Sequence, residues 1–340
     1  MSFSFEITET DLMGRIGKLT VAGKLVETPC LFPVVHPVST DIPLSLFEEM
    51  GFRALMTNSF TVYRRRRDEA LEKGIHKMLE FDGILMTDSG GYQVLEYGEV
   101  NLDPITIADF QSRIGSDLAV TLDKPTGFSR SKKYATHTVD VSYRGALDTI
   151  RKLGESDTVW VGPIQGGLFD ELVAQSTRNL VKAGFKMLAL GSPTQIMENY
   201  LFDELVKMIM AAKQSMPYST PLHLFGAGHP LTMALSVALG CDTFDSASYI
   251  LFAKQGRYMT ERGTLKLERM TYLPCSCPVC ISTSSKELSE MEKAERARKV
   301  AIHNLYVLRE ELLKCKEAIA EGRLWDLVEE RPRSGLDRWL

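Results

Sequence analysis

Eight short runs of β-forming residues recur along the chain, and most are followed by a stretch with apolar residues at helical spacing. The runs are Cys30–Val35, Arg53–Thr57, Ile84–Thr87, Leu118–Leu122, Thr158–Ile164, Lys186–Leu190, Pro221–Phe225 and Thr243–Phe244. Helical periodicity marks Ile107–Ile114, Thr136–Leu153, Leu172–Ala183, Phe202–Ser215 and Leu231–Leu239. Strands that alternate with helices build a parallel sheet, because the helix supplies the crossover that a parallel pair needs. By length, eight such units fit a (β/α)8 TIM barrel better than an open doubly wound sheet. No GxGxxG or GxxxxGK[ST] follows any of the runs, which speaks against dinucleotide and NTP binding. Gly14–Lys24 reads as a β-hairpin lid over the N-terminal end of the barrel.

The expected division is a catalytic barrel over residues 1–250 and a zinc-binding subdomain with C-terminal helices over 251–340, where Ser285–Glu321 is a charged amphipathic helical stretch. With 44% hydrophobic and 25% charged residues, the chain can bury a sizeable core. No apolar run reaches the roughly 18 residues of a membrane span, and no signal peptide is visible, so the expected location is cytoplasmic. A net charge of −4 means that any nucleic-acid binding must rely on local basic patches.

Polar residues cluster at the C-terminal ends of the runs, the face on which barrel enzymes build active sites. Asp88 opens Ser89-Gly90-Gly91-Tyr92, Asp123 closes the fourth run, Gln165-Gly166-Gly167 the fifth, and Gly191-Ser192 the sixth. Phe225-Gly226-Ala227-Gly228-His229 closes the seventh run, and Asp245 the eighth. One aspartate after a strand is more often the cap of the next helix. Three around one opening, with glycines that admit a flat ligand, point to function. A carboxylate can accept two N–H bonds from a guanine-like edge.

Three of the six cysteines, Cys275, Cys277 and Cys280, fall within six residues, and His303 lies in the helical stretch that follows. Outside a secreted context this spacing points to a metal before a disulfide. Three thiolates and an imidazole make a closed, structural zinc site. On spacing alone, His303, beside Ile302, Leu305 and Val307, fits a packed core residue as well as a ligand. Cys30, Cys241 and Cys315 read as buried apolar residues, and Met187, Met208, Met210 and Met216 as packing. Arg64–Arg67 and Ser129–Lys133 lie on or near loops of the expected active face and are candidate phosphate contacts; Arg257, Arg262 and Lys266 are weaker ones.

Taken together, Thr87-Asp88-Ser89-Gly90-Gly91-Tyr92-Gln93, Ile164-Gln165-Gly166-Gly167, His223-Leu224-Phe225-Gly226-Ala227-Gly228-His229-Pro230, Phe244-Asp245-Ser246-Ala247-Ser248-Tyr249 and Pro274-Cys275-Ser276-Cys277-Pro278-Val279-Cys280 resemble the tRNA-guanine transglycosylases, in the order of that family. The third and fourth strings resemble its archaeal, archaeosine-forming branch. The resemblance spans about residues 5–335. It implies a zinc-bearing barrel with Cys275, Cys277, Cys280 and His303 as ligands, and exchange of a D-arm guanine (position 15) of tRNA for 7-cyano-7-deazaguanine (preQ0). It also implies Asp88 and Asp245 as catalytic residues. Asp123, Gln165, Gly191 and Ser192 would recognise the base, and Ser89, Tyr92 and Phe225 would line it. It further implies a homodimer, and an RNA-binding PUA module that a separate polypeptide or a longer chain would supply. Three strings depart from the archaeal pattern: Gln165-Gly166-Gly167 and Asp88-Ser89-Gly90-Gly91 are closer to the bacterial branch, and Asp123-Lys124-Pro125-Thr126-Gly127-Phe128 matches neither branch.

Base exchange replaces one glycosidic bond with another, so no nucleotide motif is needed. The expected course is a double displacement through a covalent ribosyl-aspartate, with Asp245 as nucleophile and Asp88 as general acid/base, or the reverse. Three rivals remain: a deazaguanine transglycosylase acting on another tRNA position or on DNA, a non-catalytic binding subunit, and a metal-dependent barrel hydrolase. Retention of Asp88, Asp123 and Asp245 opposes the second. The lack of an open, His-rich cluster at the strand ends opposes the third.

Overall fold

The computed structural model describes residues 2–39, 41–91, 103–199 and 201–331. Three antiparallel strands come first: β1 (Phe3–Asp11), β2 (Gly14–Val21) and β3 (Lys24–Thr28). Eight parallel strands follow, β4 (Cys30–Pro33), β5 (Ala54–Asn58), β6 (Ile84–Asp88), β7 (Leu118–Val120), β8 (Val159–Ile164), β9 (Met187–Leu190), β10 (Leu222–Leu224) and β11 (Thr243–Ser246). They pair in chain order, and β11 pairs with β4. A parallel bridge between Val34 and Met56, with Val35 N donating to Met56 O at 2.8 Å, joins β4 to β5 and completes the ring. This is the expected TIM barrel, and each of the eight runs forms one of its strands.

The period-two alternation of a strand sorts the barrel residues into two sets. Phe32, Ala54, Met56, Ile84, Met86, Leu118, Val120, Val159, Val161, Met187 and Ala189 fill the interior together with Leu19, Val21 and Val26 of the antiparallel sheet. Their neighbours Leu31, Leu55, Leu85, Ala119, Trp160, Leu188, Leu224 and Phe244 face outward into the helical layer. In β10 and β11 the outward set is Leu222, Leu224 and Phe244, so the inward phase falls to His223, Thr243 and Asp245. A fully apolar interior thus turns polar on one side, next to the C-terminal opening.

The lid expected from Gly14–Lys24 is the β2–β3 half of the three-stranded sheet. The alternation of Phe3, Phe5 and Ile7 adds β1, which the sequence reading left out. Two polar clamps fix this sheet to the N-terminal end of the barrel. Arg15 makes a bidentate pair with Asp242, Nε to Oδ1 at 2.8 Å and Nη2 to Oδ2 at 2.6 Å, both side chains buried. It also donates to Thr220 O at 3.0 Å and to Tyr218 O. Lys24 Nζ reaches Asp117 Oδ2 at 2.9 Å and Gly83 O at 3.1 Å. Removing one partner of a buried pair such as Arg15–Asp242 costs roughly 3–5 kcal/mol, because the other charge is stranded.

After β11 come the helix Ser248–Lys254, the hairpin β12 (Arg257–Thr260) and β13 (Gly263–Lys266), and the helices Pro278–Ser282, Ser285–Glu290, Lys293–Ala320 and Leu324–Glu330. The expected single stretch Ser285–Glu321 is two helices. Met291 is extended, and Glu292 restarts the chain as a cap, its carboxylate accepting from Ala294 N and Glu295 N. Val300, Ala301, Leu305, Leu308 and Leu312 of the long helix share one apolar cluster with the barrel's helical layer. Among the described residues no helix is long and apolar enough to cross a membrane.

Candidate active site

The C-terminal ends of the strands open into one cleft of about 800 Å³. Asp88, Asp123, Gly191, Ser192, Phe225 and Asp245 line it. Gln165 sits just beneath, fully buried and bonded to Asp123. Ser89 is buried, and its hydroxyl has no hydrogen-bond partner among the described residues. Tyr92 lies outside the described residues.

Asp245 is the third residue of β11, not a helix cap. The next helix, Ser248–Lys254, is preceded by Ala247 and has no side-chain cap. Asp245 Oδ1 accepts from Gly226 N at 2.9 Å and faces His223 Nε2 at 3.1 Å. On its other side, His223 Nδ1 lies 2.9 Å from Thr243 Oγ1. A consistent assignment has the threonine hydroxyl donating to Nδ1 and the Nε2–H donating to the carboxylate. Oδ1 then carries two hydrogen bonds. His223 is fully buried between Phe32 and Phe225, edge-on to both. The sequence reading gave His223 no role. The usable signal was phase: in Leu222-His223-Leu224 and Thr243-Phe244-Asp245 the polar residues share the inward face of neighbouring strands.

Asp88, the last residue of β6, accepts from Asn58 Nδ2 at 2.8 Å through Oδ2. Asn58 also caps the helix Ser59–Arg65, taking Thr61 N at 2.8 Å on its oxygen, and this holds the amide in place. Burial and the nearby Asp245 charge push the Asp88 carboxyl up to about 6, against hydrogen bonds from Asn58, Gly90 and Ser89 that favour its ionised form. Burial and the Asp88 charge push Asp123 up to about 7, opposed by the Gln165 bond.

Gln165 organises the side of the cleft opposite Asp245. Its Nε2 donates to Asp123 Oδ2 at 2.5 Å. Its Oε1 accepts from Thr126 N at 2.8 Å, Thr126 Oγ1 at 3.1 Å and Ser192 Oγ at 3.1 Å. The loop after Asp123 is then held by three successive amides. Thr126 N goes to Gln165, Gly127 N to Ser192 Oγ at 3.0 Å, and Phe128 N to Gln195 Oε1 at 2.8 Å. The Asp123–Phe128 string that matched neither branch of the family is therefore rigidly tied to the strand ends. Two glycines make room. A Cβ on Gly91 would lie 2.1 Å from Asp123 Oδ1, and one on Gly191 would lie 2.2 Å from Gln165 Nε2.

The arginine run divides. Arg66 turns back to Pro37 O at 2.7 Å and to Glu69 at 2.8 Å, whereas Arg64, Arg65 and Arg67 are exposed next to the active face. Arg130 is exposed as well, over the Phe128 ring.

Away from the cleft, the ligand atoms of Cys275, Cys277, Cys280 and His303 all lie within 4.8 Å of one another. His303 Nδ1 stands 3.5 Å from both Cys277 Sγ and Cys280 Sγ. Zinc bonds of about 2.3 Å to sulfur and 2.0–2.1 Å to nitrogen, set at the tetrahedral angle, also place the two atoms about 3.5 Å apart. The Nε2–H is positioned to donate to Met259 O at 2.9 Å, which leaves Nδ1 as the ligand nitrogen, and the Tyr258 ring stacks on the imidazole at 3.6 Å. The residues fit a closed four-coordinate metal, and His303 belongs to the group.

A family model described as queuine tRNA-ribosyltransferase matches residues 10–335. The chain belongs to this family. Among curated members, a tRNA-guanine(15) transglycosylase of Aeropyrum pernix is 45% identical over 330 residues, 97% of this chain and 64% of the relative. That of Thermococcus kodakarensis is 44% identical over 338 residues, 98% of this chain and 57% of the relative. That of Sulfolobus acidocaldarius is 40% identical over 333 residues, 97% of this chain and 66% of the relative. The chain thus spans between half and two thirds of the length of these ribosyltransferase-family relatives.

Proposed function

We propose that the protein is a tRNA-guanine transglycosylase that exchanges the D-arm guanine at position 15 for 7-cyano-7-deazaguanine. The observation that carries the reading is the placement of three aspartates, two with raised pKa values, at one barrel mouth in a chain of the queuine tRNA-ribosyltransferase family. In this reading Asp245 attacks C1′ of the target nucleotide through Oδ2, the oxygen left by the two bonds on Oδ1. The C1′–N9 bond breaks, guanine leaves, and the ribose is held as an ester on Asp245. Asp88, with a pKa near neutrality, gives the departing purine its proton. The deazaguanine then loses a proton to Asp88, its nitrogen attacks C1′, and the ester opens. Two inversions leave the configuration retained.

Asp123, when ionised, accepts the adjacent N–H donors of the guanine-like edge. Gln165 keeps one Nε2–H for the ring carbonyl, since its oxygen is already saturated. Ser192 contributes through its backbone, because its hydroxyl is committed to Gln165 and Gly127. Phe225, with Ser89 and Tyr92, completes the walls. Zn²⁺ on Cys275, Cys277, Cys280 and His303 is structural and takes no part in the exchange. Residues 1–250 act as the catalytic barrel and 251–340 as its zinc-bearing completion. Dimerisation, and RNA contacts from a PUA-containing polypeptide, complete the proposal.

The experiment is incorporation of labelled guanine, and then of 7-cyano-7-deazaguanine, into tRNA and into duplex DNA. Uptake into tRNA alone, lost when position 15 is not guanine, supports the reading. Uptake into DNA or at another tRNA position shifts the substrate, and no uptake into either polymer removes the reading.

A further inference from the structure

The cleft is at the large end of small-molecule sites, which run roughly 300–1,000 Å³. Asp88, Asp123 and Ser192 form one arm. A second arm of the lining is the contacting group His229, Phe252, Arg257 and Thr264, and the base-exchange chemistry above uses none of these four. Arg257 is the only lysine or arginine among the described lining residues, against the acids Asp88, Asp123, Glu198 and Asp245.

Its guanidinium is fixed in place. Cζ lies 3.6 Å from the centroid of the Phe252 ring, and Nη2 donates to Thr264 Oγ1 at 2.9 Å. No carboxylate pairs with it among the described residues. Of five N–H donors, one is engaged by Thr264, and the rest are available to a ligand. Beside it, Leu231 N donates to His229 Nδ1 at 3.3 Å, so the hydrogen sits on Nε2. Burial and the Arg257 charge push His229 down to about 4, so the ring stays neutral and adds a donor, not a second cation.

A nucleotide that presents its base to Asp123 and its C1′ to Asp245 brings its flanking phosphates to a mouth rich in carboxylates, where they are repelled unless a cation is built in. We propose that the second arm is a phosphodiester site in which Arg257 pairs with one phosphate flanking the reacting nucleotide, with the His229 Nε2–H as a neutral donor beside it. The planar fork of arginine suits a phosphate, and the stack on Phe252 sets its direction in advance. This inference rests on the RNA transglycosylase reading and adds which element grips the strand beside the reacting nucleotide.

The test measures equilibrium binding of tRNA to the full chain across a salt series, together with exchange kinetics. Arg257→Gln is expected to weaken binding roughly 10- to 100-fold, the usual range for a charged hydrogen bond. It should also reduce the slope of log K against log salt by about 1, as loss of one phosphate contact requires. KM for tRNA rises, while KM for free guanine and the Tm hold. Arg257→Lys keeps the slope. A second arm leaves the protein unaltered: a neutral methylphosphonate at one flanking phosphate weakens binding to the wild type, and weakens binding to Arg257→Gln no further. Wild-type affinity and slope in Arg257→Gln, or equal loss from methylphosphonates in both proteins, overturns the inference while the transglycosylase reading stands. A wild type that neither binds tRNA nor exchanges guanine removes that reading, and this inference with it.

Discussion

Asp245 Oδ1 takes hydrogen bonds from Gly226 N and His223, and that asymmetry determines which oxygen of the carboxylate is free to react. In the proposed reaction His223 is a positioning residue: it touches Asp245, the proposed nucleophile, and not the substrate. Loss of one bond to a charged group is worth roughly 1.5–3 kcal/mol. His223→Phe is therefore expected to lower kcat about 10- to 100-fold with KM for guanine unchanged, and His223→Gln, which can still donate, to recover part of it. A rise in KM with kcat intact would place His223 in base binding instead. Asp123 gives the pH dependence. Its pKa is raised to about 7, and in the proposed reading it must be ionised to accept both guanine donors. KM for free guanine is expected to climb as pH falls through about 7 and to level off above it. In Asp123→Asn, KM should be high and independent of pH. A KM for guanine that is flat from pH 6 to 8 in the wild type contradicts the assignment.

At the scale of elements, what was legible in the sequence and what was not separate along physical lines. The eight barrel strands were legible because strands buried on both faces carry dense apolar runs, and β11 differs from its expected run only by extending to Ser246, which takes Asp245 into the strand. β1 escaped notice because its alternating Phe3, Phe5 and Ile7 are interleaved with exposed polar residues. The break at Met291–Glu292 was hidden because both sides carry the same amphipathic pattern. The second arm of the cleft was legible only as separate residues: Arg257 stood among the weaker candidate phosphate contacts and His229 in the string after the seventh run, with nothing to join them. It joins the loop after β10, the helix Ser248–Lys254 and the β12–β13 hairpin, and no local spacing records that meeting. The candidate metal element was legible from its cysteines, and geometry singled out His303 from a helix of apolar neighbours. Because its ligand atoms cross from the Cys275–Cys280 loop to the long helix, metal removal should act there first. A strong chelator, or Cys277→Ser, is expected to lower the Tm by several degrees and expose 267–303 to hydrogen exchange, with strands β4–β9 still protected. Uniform loss of protection would show that the metal holds the whole barrel.

On the scale of the whole molecule, the protein is a barrel with a sealed end and a working end. At the sealed end, the Arg15–Asp242 and Lys24–Asp117 clamps fix the antiparallel sheet beneath the apolar interior. At the working end, β10 and β11 point His223, Thr243 and Asp245 inward, the end of β6 carries Asp88, and the residues after β7 and β8 bring Asp123 and Gln165 to meet them. In the proposed reaction, Asp245 forms a bond to the ribose of an RNA substrate. The direct measurement is recovery of a protein–tRNA adduct under denaturing conditions after the deazaguanine is withheld. The wild type and Asp88→Ala are expected to differ in amount while both form adduct, and Asp245→Ala to give none. An adduct in Asp245→Ala that is absent from Asp88→Ala would contradict the claim and transfer the nucleophile's role to Asp88.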